Sequence, residues 1–301
     1  LLKTIRTLHI EGDDIEGEFL PFMNGNAIEE LDLDSVKLKK SSVQWIASLP
    51  NITRLRLAFC DIDAEGAKSL SQLNQLAVLN IEGGRVSPSF PSLCKMKNLF
   101  HLKLDLHQDD EKILIHASIP KALRELDIDG VSLSVDGAEA LAAWPLTGLN
   151  ICSDAMYDRK SRSQIGSIGA QALAKCITLE WLHVGCHKIE AEGVKALSRL
   201  PHLRWLHLTS NPIGKGIENL STAPSLRVVY LDDCQLTSDA AIALSKIKTL
   251  EEIYVWNNQI NDKDLLNFTN LVNLREINLV KNPISFESIN RLRNLLPYVK
   301  I

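Results

Sequence analysis

Four copies of one short phrase decide the fold: LEWLHVGCHKI at 179–189, LRWLHLTSNPI at 203–213, LRVVYLDDCQL at 226–236 and LEEIYVWNNQI at 250–260. Each is a leucine, two residues, an aliphatic, one residue, an aliphatic, two residues, then Asn, Cys or His, one residue and an aliphatic. Alternating apolar positions predict a short strand with one buried face. A phrase of this form leads into a helix or 3₁₀ turn.

Working outward, the first aliphatic of the phrase recurs at Ile5, Ile28, Ile52, Leu76, Leu99, Leu123, Leu146, Leu179, Leu203, Leu226, Leu250 and Leu274. The steps are 23 or 24 residues, except 33 between Leu146 and Leu179. One such unit cannot bury its own apolar face, so the units must stack and share one long core. The second half of many units reads as helix. DAEGAKSLSQL, VDGAEALAAW, SIGAQALAKC and EAEGVKALSRL all place a Leu four residues after a Gly, which gives a buried helical stripe. Ser134 or Asp136, and Ser238 or Asp239, are candidate N-caps.

The chain resembles leucine-rich repeat proteins of the ribonuclease-inhibitor-like or cysteine-containing kind, bacterial members above all. The phrases that carry the likeness are CDIDAEGAKSL, NICSDAMYDRKSRSQIGSIGAQALAKC and CQLTSDAAIAL, and it extends over residues 5–301. It implies an α/β leucine-rich repeat solenoid, or horseshoe, with a parallel inner sheet, outer helices and about 12 repeats of 23–24 residues. The expectation is one domain over 1–301 with an insertion at about 153–168. The resemblance implies an interaction module and supplies no catalytic residue.

Composition sets outer bounds on function. A net charge of −4 over 301 residues lacks the basic footprint of a nucleic-acid binder. No apolar run approaches the roughly 18 residues of a membrane span. The N-terminal LLKTIRTLHI fits a repeat strand and lacks a signal-peptide apolar block. The six cysteines form no CxxC pair, which reads as reduced structural thiols in a cytoplasmic protein, with secretion as the alternative. A monomer is expected. No phosphate-binding glycine loop is present, and no cofactor is implied.

The ninth phrase position holds Cys60, His187, Asn211, Cys234, Asn258 and Asn282. Buried there, each is expected to satisfy backbone groups of the turn between repeats. Two places break the pattern. DLHQDDEKILIHASIPKA, at 105–122, lacks the Gly-Ala helix and reads as a looser return. CSDAMYDRKSRSQIGS, at 152–167, carries about ten extra residues, either a tolerated loop or part of a binding face.

The third, fifth and seventh phrase positions point away from the core and form rows across the sheet. Aromatic residues concentrate there in four consecutive repeats: Trp181, Trp205, Tyr230, Tyr254 and Trp256, with His183 and His207 alongside. Clustered exposed rings either cover one another or mark a binding site, and Trp and Tyr dominate binding hot spots. The expected site is Trp181, His183, Trp205, His207, Tyr230, Asp232, Asp233, Glu252, Tyr254, Trp256 and Glu276. It would hold a protein or peptide with basic side chains and would not take nucleic acid or membrane. Glu30, Asp32, Asp34, Glu82, Asp105, Glu125, Asp127 and Asp129 suggest a further acidic cradle, interrupted by Arg54 and Arg56. A second reading gives the aromatic face a sugar, or a quaternary or methylated ammonium group. A third uses His183, His207 and Asp232 for catalysis, or His183, His207 and Cys186 for zinc.

Overall fold

A computed structural model describes residues 4–12, 15–60, 62–83, 90–106, 111–118, 121–129, 131–152 and 164–301. The strands are β1 (Thr7–Glu11), β2 (Glu30–Asp34), β3 (Arg54–Ala58), β4 (Val78–Glu82), β5 (His101–Asp105) and β6 (Glu125–Asp129). They continue as β7 (Gly148–Asn150), β8 (Trp181–His183), β9 (Trp205–His207), β10 (Val228–Tyr230), β11 (Glu252–Tyr254) and β12 (Glu276–Asn278). The chain forms two compact units, Leu1–Ser132 with Trp144–Leu146, and Leu133–Ala143 with Thr147–Ile301.

In the first unit β1 to β6 pair in sequence order and in parallel; in the second, β7 to β12 do the same. Each strand is reached through a helix or 3₁₀ turn, as parallel pairing requires. The architecture is an α/β leucine-rich repeat solenoid. The register matches the phrase: Trp181 pairs Trp205, which pairs Val228, then Glu252, then Glu276. The row behind it, Leu182, Leu206, Val229 and Ile253, is fully buried.

The helical glycines mark where one repeat presses on the last. Helix Ala191–Leu197 contains Gly193, and a Cβ there would come within 2.6 Å of Ile189 and 3.1 Å of Ala170 on the preceding helix. Other connections are 3₁₀ rather than α: Gly17–Phe22, Gly214–Thr222 and Leu265–Asn270. The segment read as a looser return contains an α-helix, Glu111–His116, whose Leu114 is fully buried. One inward leucine is enough to hold a turn of helix without the Gly-Ala signal. Ser134 caps its helix by accepting from Asp136 N at 3.2 Å. Ser238 does not cap; its Oγ accepts from Asn261 N, 3.0 Å away in the next repeat.

The ninth-position residues, buried except for the half-buried Asn282, knit the turns together. Asn258 Nδ2 donates to Leu231 O and Val255 O, while its Oδ1 accepts from Cys234 N and Leu236 N. Asn211 repeats this two levels earlier. The Cys60 and Cys234 thiols donate to carbonyls of the same turns, Leu33 O and Leu208 O. The His187 ring bonds Ile151 O at 3.0 Å.

Candidate functional site

Short strands deliver the aromatic row, and each ring is placed by its partner one strand away. Trp181 is the first. Its indole lies directly over Gly148 on β7, where any Cβ would overlap the ring. Glycine at 148 is thus the third-position residue that lets a tryptophan lie flat on the sheet.

The next five rings make a ladder. The His183 and His207 imidazoles stack at 3.8 Å with planes 11° apart. Trp205 meets both edge-on, at 6.0 and 5.6 Å. His207 tilts against Tyr230 at 4.8 Å, and Tyr230 stacks on Tyr254 at 4.3 Å and 6°. Neighbouring strands are about 4.8 Å apart, so stacking follows from register. The strip crosses β8 to β11, roughly 14 Å. Every member is half-buried, so the rings cover one another's faces in part and leave outer edges and faces to solvent.

Burial pushes both imidazoles down, His183 to about 3 and His207 to about 4, with the His207 ring adding to the effect at His183. At neutral pH the ladder is uncharged. His207 Nε2 lies 2.6 Å from Thr209 Oγ1, which orients the ring.

Trp256 stands apart from this ladder. Its backbone N–H donates to Asp232 Oδ1 at 2.7 Å, and the Lys281 ammonium lies 4.3 Å from its ring centroid. The cation face of this indole is therefore occupied from within the chain.

The carboxylates read as contacts for a basic partner already have neighbours. Asp232 fixes the turn through Trp256 N, and burial pushes its carboxyl above the usual range. Asp233 Oδ1 accepts from Asn257 Nδ2 at 3.0 Å and the residue is exposed. Glu252 Oε2 accepts from Tyr254 OH at 3.0 Å; burial, then this bond, pushes the phenol upward. Glu276 pairs Lys300 at 2.8 Å.

Part of the acidic charge on the N-terminal strands is paired internally. Arg56 on β3 bonds Asp32 at 2.9 Å, Asp34 at 3.2 Å and Glu82 at 3.1 Å. Lys103 adds a 2.9 Å bond to Glu82. Burial works against ionisation of Glu82, yet Lys103, Asn80 and Arg56 hold it down at about 2. His101 bridges Glu125 and Asp127 at 3.2 and 3.0 Å. Arg56, read as an interruption of an acidic cradle, is the centre of an ion-pair network.

One row escaped the alternation rule. The eighth phrase position adopts left-handed backbone in repeat after repeat: Ser35, Phe59, Gly83, Cys186, Ser210, Asp233, Asn257 and Lys281 all have φ between 50° and 66°. Their N–H groups continue the ladder past the strands, as in Cys186 N to Thr209 O, Ser210 N to Asp232 O and Asp233 N to Trp256 O. Gly83, Asp233 and Asn257 are of the types such a φ favours, and the other five are not, so the position in the phrase was the steadier signal.

Stacked imidazoles project their ring nitrogens side by side rather than toward one point, so His183, His207 and Cys186 do not converge on an ion. Among the described residues no group of three or more His, Cys, Asp or Glu is arranged to hold a metal. Residues 153–163 of the expected insertion lie outside the described residues, and 166–168 belong to helix Gly166–Leu173. No helix among the described residues is long and apolar enough to cross a membrane.

Repeats, register and ring ladder together define a leucine-rich repeat solenoid with a built aromatic face. Residues 48–71 and 175–198 match the family model described as Leucine Rich repeat. By structure the chain is similar to an internalin from Listeria monocytogenes, with a TM-score of 0.56 and 18% identity over 97% of this chain and 84% of that one. A leucine-rich repeat protein from Leptospira interrogans aligns with a TM-score of 0.49 and 19% identity over 92% and 72%. No curated protein matches the sequence. Folds of this class generally serve as protein-interaction scaffolds and are typically not enzymes.

Proposed function

We propose that the chain is a non-catalytic binding module that takes a protein or peptide on the aromatic face of β8 to β11. The continuous ring ladder from His183 to Tyr254 carries this reading. A soluble surface gains nothing from five half-exposed rings in register unless something covers them. Trp205 and Tyr230, at its centre 5.2 Å apart, are the apolar anchors, with Trp181 beside them. The second oxygens of Asp233, Glu252 and Glu276 favour basic side chains at the rim. Trp256 contributes less, because Lys281 already covers it. The same contact weighs against a quaternary ammonium ligand on that ring.

The test compares wild-type chain with a Trp205→Ala/Tyr230→Ala variant, verified as folded by circular dichroism, in capture from native lysate followed by calorimetry. A partner bound by wild type and weakened by about 2 kcal/mol or more in the variant supports the assignment. Equal affinity removes the ladder as the binding face.

A further inference from the structure

Two of the six cysteines are not buried. Cys60, Cys94, Cys176 and Cys234 are all at most 5% exposed, while Cys152 and Cys186 are half-buried. These two are far apart in the sequence but meet at the ends of adjacent strands. Asn150 pairs His183 across β7 and β8, so Cys152 falls level with Gly185. A Cβ at Gly185 would lie 3.2 Å from Cys152 Sγ, and the next residue is Cys186. Cys186 is presented by its left-handed backbone, φ 63°. Cys186 is one residue beyond that level, so a step of about 4.8 Å across and about 3.3 Å along puts the two Cα atoms about 6 Å apart, within the roughly 4.4–6.8 Å a disulfide spans.

We infer that Cys152 and Cys186 are a redox-active thiol pair that closes to a disulfide on exposure to a hydroperoxide and reopens with a small thiol. Cys186 is the attacking group. The Cys152 hydrogen bond pulls its thiol below the ordinary range; burial opposes this, and a Ser210 hydrogen bond assists. Cys94 and Cys234 are driven the other way by burial, to about 12. Reactivity follows the thiolate fraction, which sets Cys186 apart from Cys94 and Cys234.

The Cys186 thiolate attacks one oxygen of the hydroperoxide, ROOH. The O–O bond breaks, the alcohol ROH leaves with the thiol's proton, and Cys186 becomes a sulfenic acid. Cys152 sulfur then attacks Cys186 Sγ. The S–O bond breaks, hydroxide leaves and takes the Cys152 proton as water, and the S–S bond forms. Two electrons pass from the thiol pair to the peroxide. Two equivalents of a small thiol, RSH, restore both thiols and yield RSSR. The pair requires no ligand on the aromatic face, so it stands independently of the binding reading.

The experiment treats the full wild-type chain with hydrogen peroxide, then maps disulfides and sulfenic acids by peptide mass spectrometry. A Cys152–Cys186 cross-linked peptide, lost after dithiothreitol, is expected. In Cys152→Ser, dimedone should trap a sulfenic acid at Cys186; in Cys186→Ser, Cys152 should stay reduced. Should either variant fail to fold, limited alkylation of wild type at pH 7 decides. Cys186 should label at least about tenfold faster than Cys94 or Cys234. Absence of the cross-link, with Cys186 oxidised no faster than the buried thiols, overturns the proposal.

Discussion

Asn258 shows how much of this fold rests on single side chains. Its amide saturates four backbone groups in a turn that water does not reach. Asn258→Ala leaves all four unpaired, and each buried orphan costs about 1–3 kcal/mol before relaxation. Allowing the turn to relax, we predict a loss of about 3 kcal/mol in urea unfolding. A loss below about 1 kcal/mol would mean the turn re-pairs without it. Gly148 is the second such residue. Gly148→Ala must lift the Trp181 ring off β7, since the Cβ and the indole claim the same space. The expected result is a shift in tryptophan emission with the far-ultraviolet circular dichroism unchanged.

Among the elements, β8 and β9 with the turn after β8 hold three histidines that burial keeps neutral: His183 at about 3, His187 at about 4 and His207 at about 4. Unfolded, each titrates near 6.5. Between pH 6.5 and about 4 the unfolded chain binds more protons than the folded one, so stability falls as pH falls through that window. Above pH 6.5 these groups impose no penalty. The urea midpoint is therefore expected to drop between pH 7.5 and pH 5. His183→Phe/His207→Phe, which keeps two stackable rings, should drop less. An identical drop in both chains would assign the acid sensitivity elsewhere. Glu82 acts in a separate range. Its stabilising pairs with Arg56 and Lys103 persist above its unfolded value of 4.5 and are lost as pH falls toward 2.

For the whole molecule, repeat stacking makes stability a sum of neighbour terms. Leu206 on β9 is fully buried, and Leu206→Ala should cost about 2–5 kcal/mol. In a chain of nearest-neighbour contacts that cost stays local. Amide exchange should accelerate on β8 to β10 while β1 to β4 keep their protection. Uniform acceleration in every strand would instead show a single cooperative unit.

The phrase and its period determined the fold, because a repeat that buries one face of a short strand leaves the same apolar signature wherever it recurs. The two side-chain rows inside each unit, the turn role of Asn211 and Asn258, and the gathering of rings on β8 to β11 all follow from alternation and register. Only the tertiary structure decided what those side chains do to one another. Pairing of Arg56 with Asp32 and Asp34 on the neighbouring strand was readable from the rows, but not that Glu82 on the other side joins them. Trp256 belonged by position with the other rings, yet Lys281 from the following repeat covers it. Cys152 and Cys186 form no CxxC pair, and the longer step between Leu146 and Leu179 hides their neighbouring places on adjacent strands. Period and polarity are local properties that a chain displays in order. Pairing between side chains depends on distances across strands and on left-handed turns, which most residue types at those positions do not announce.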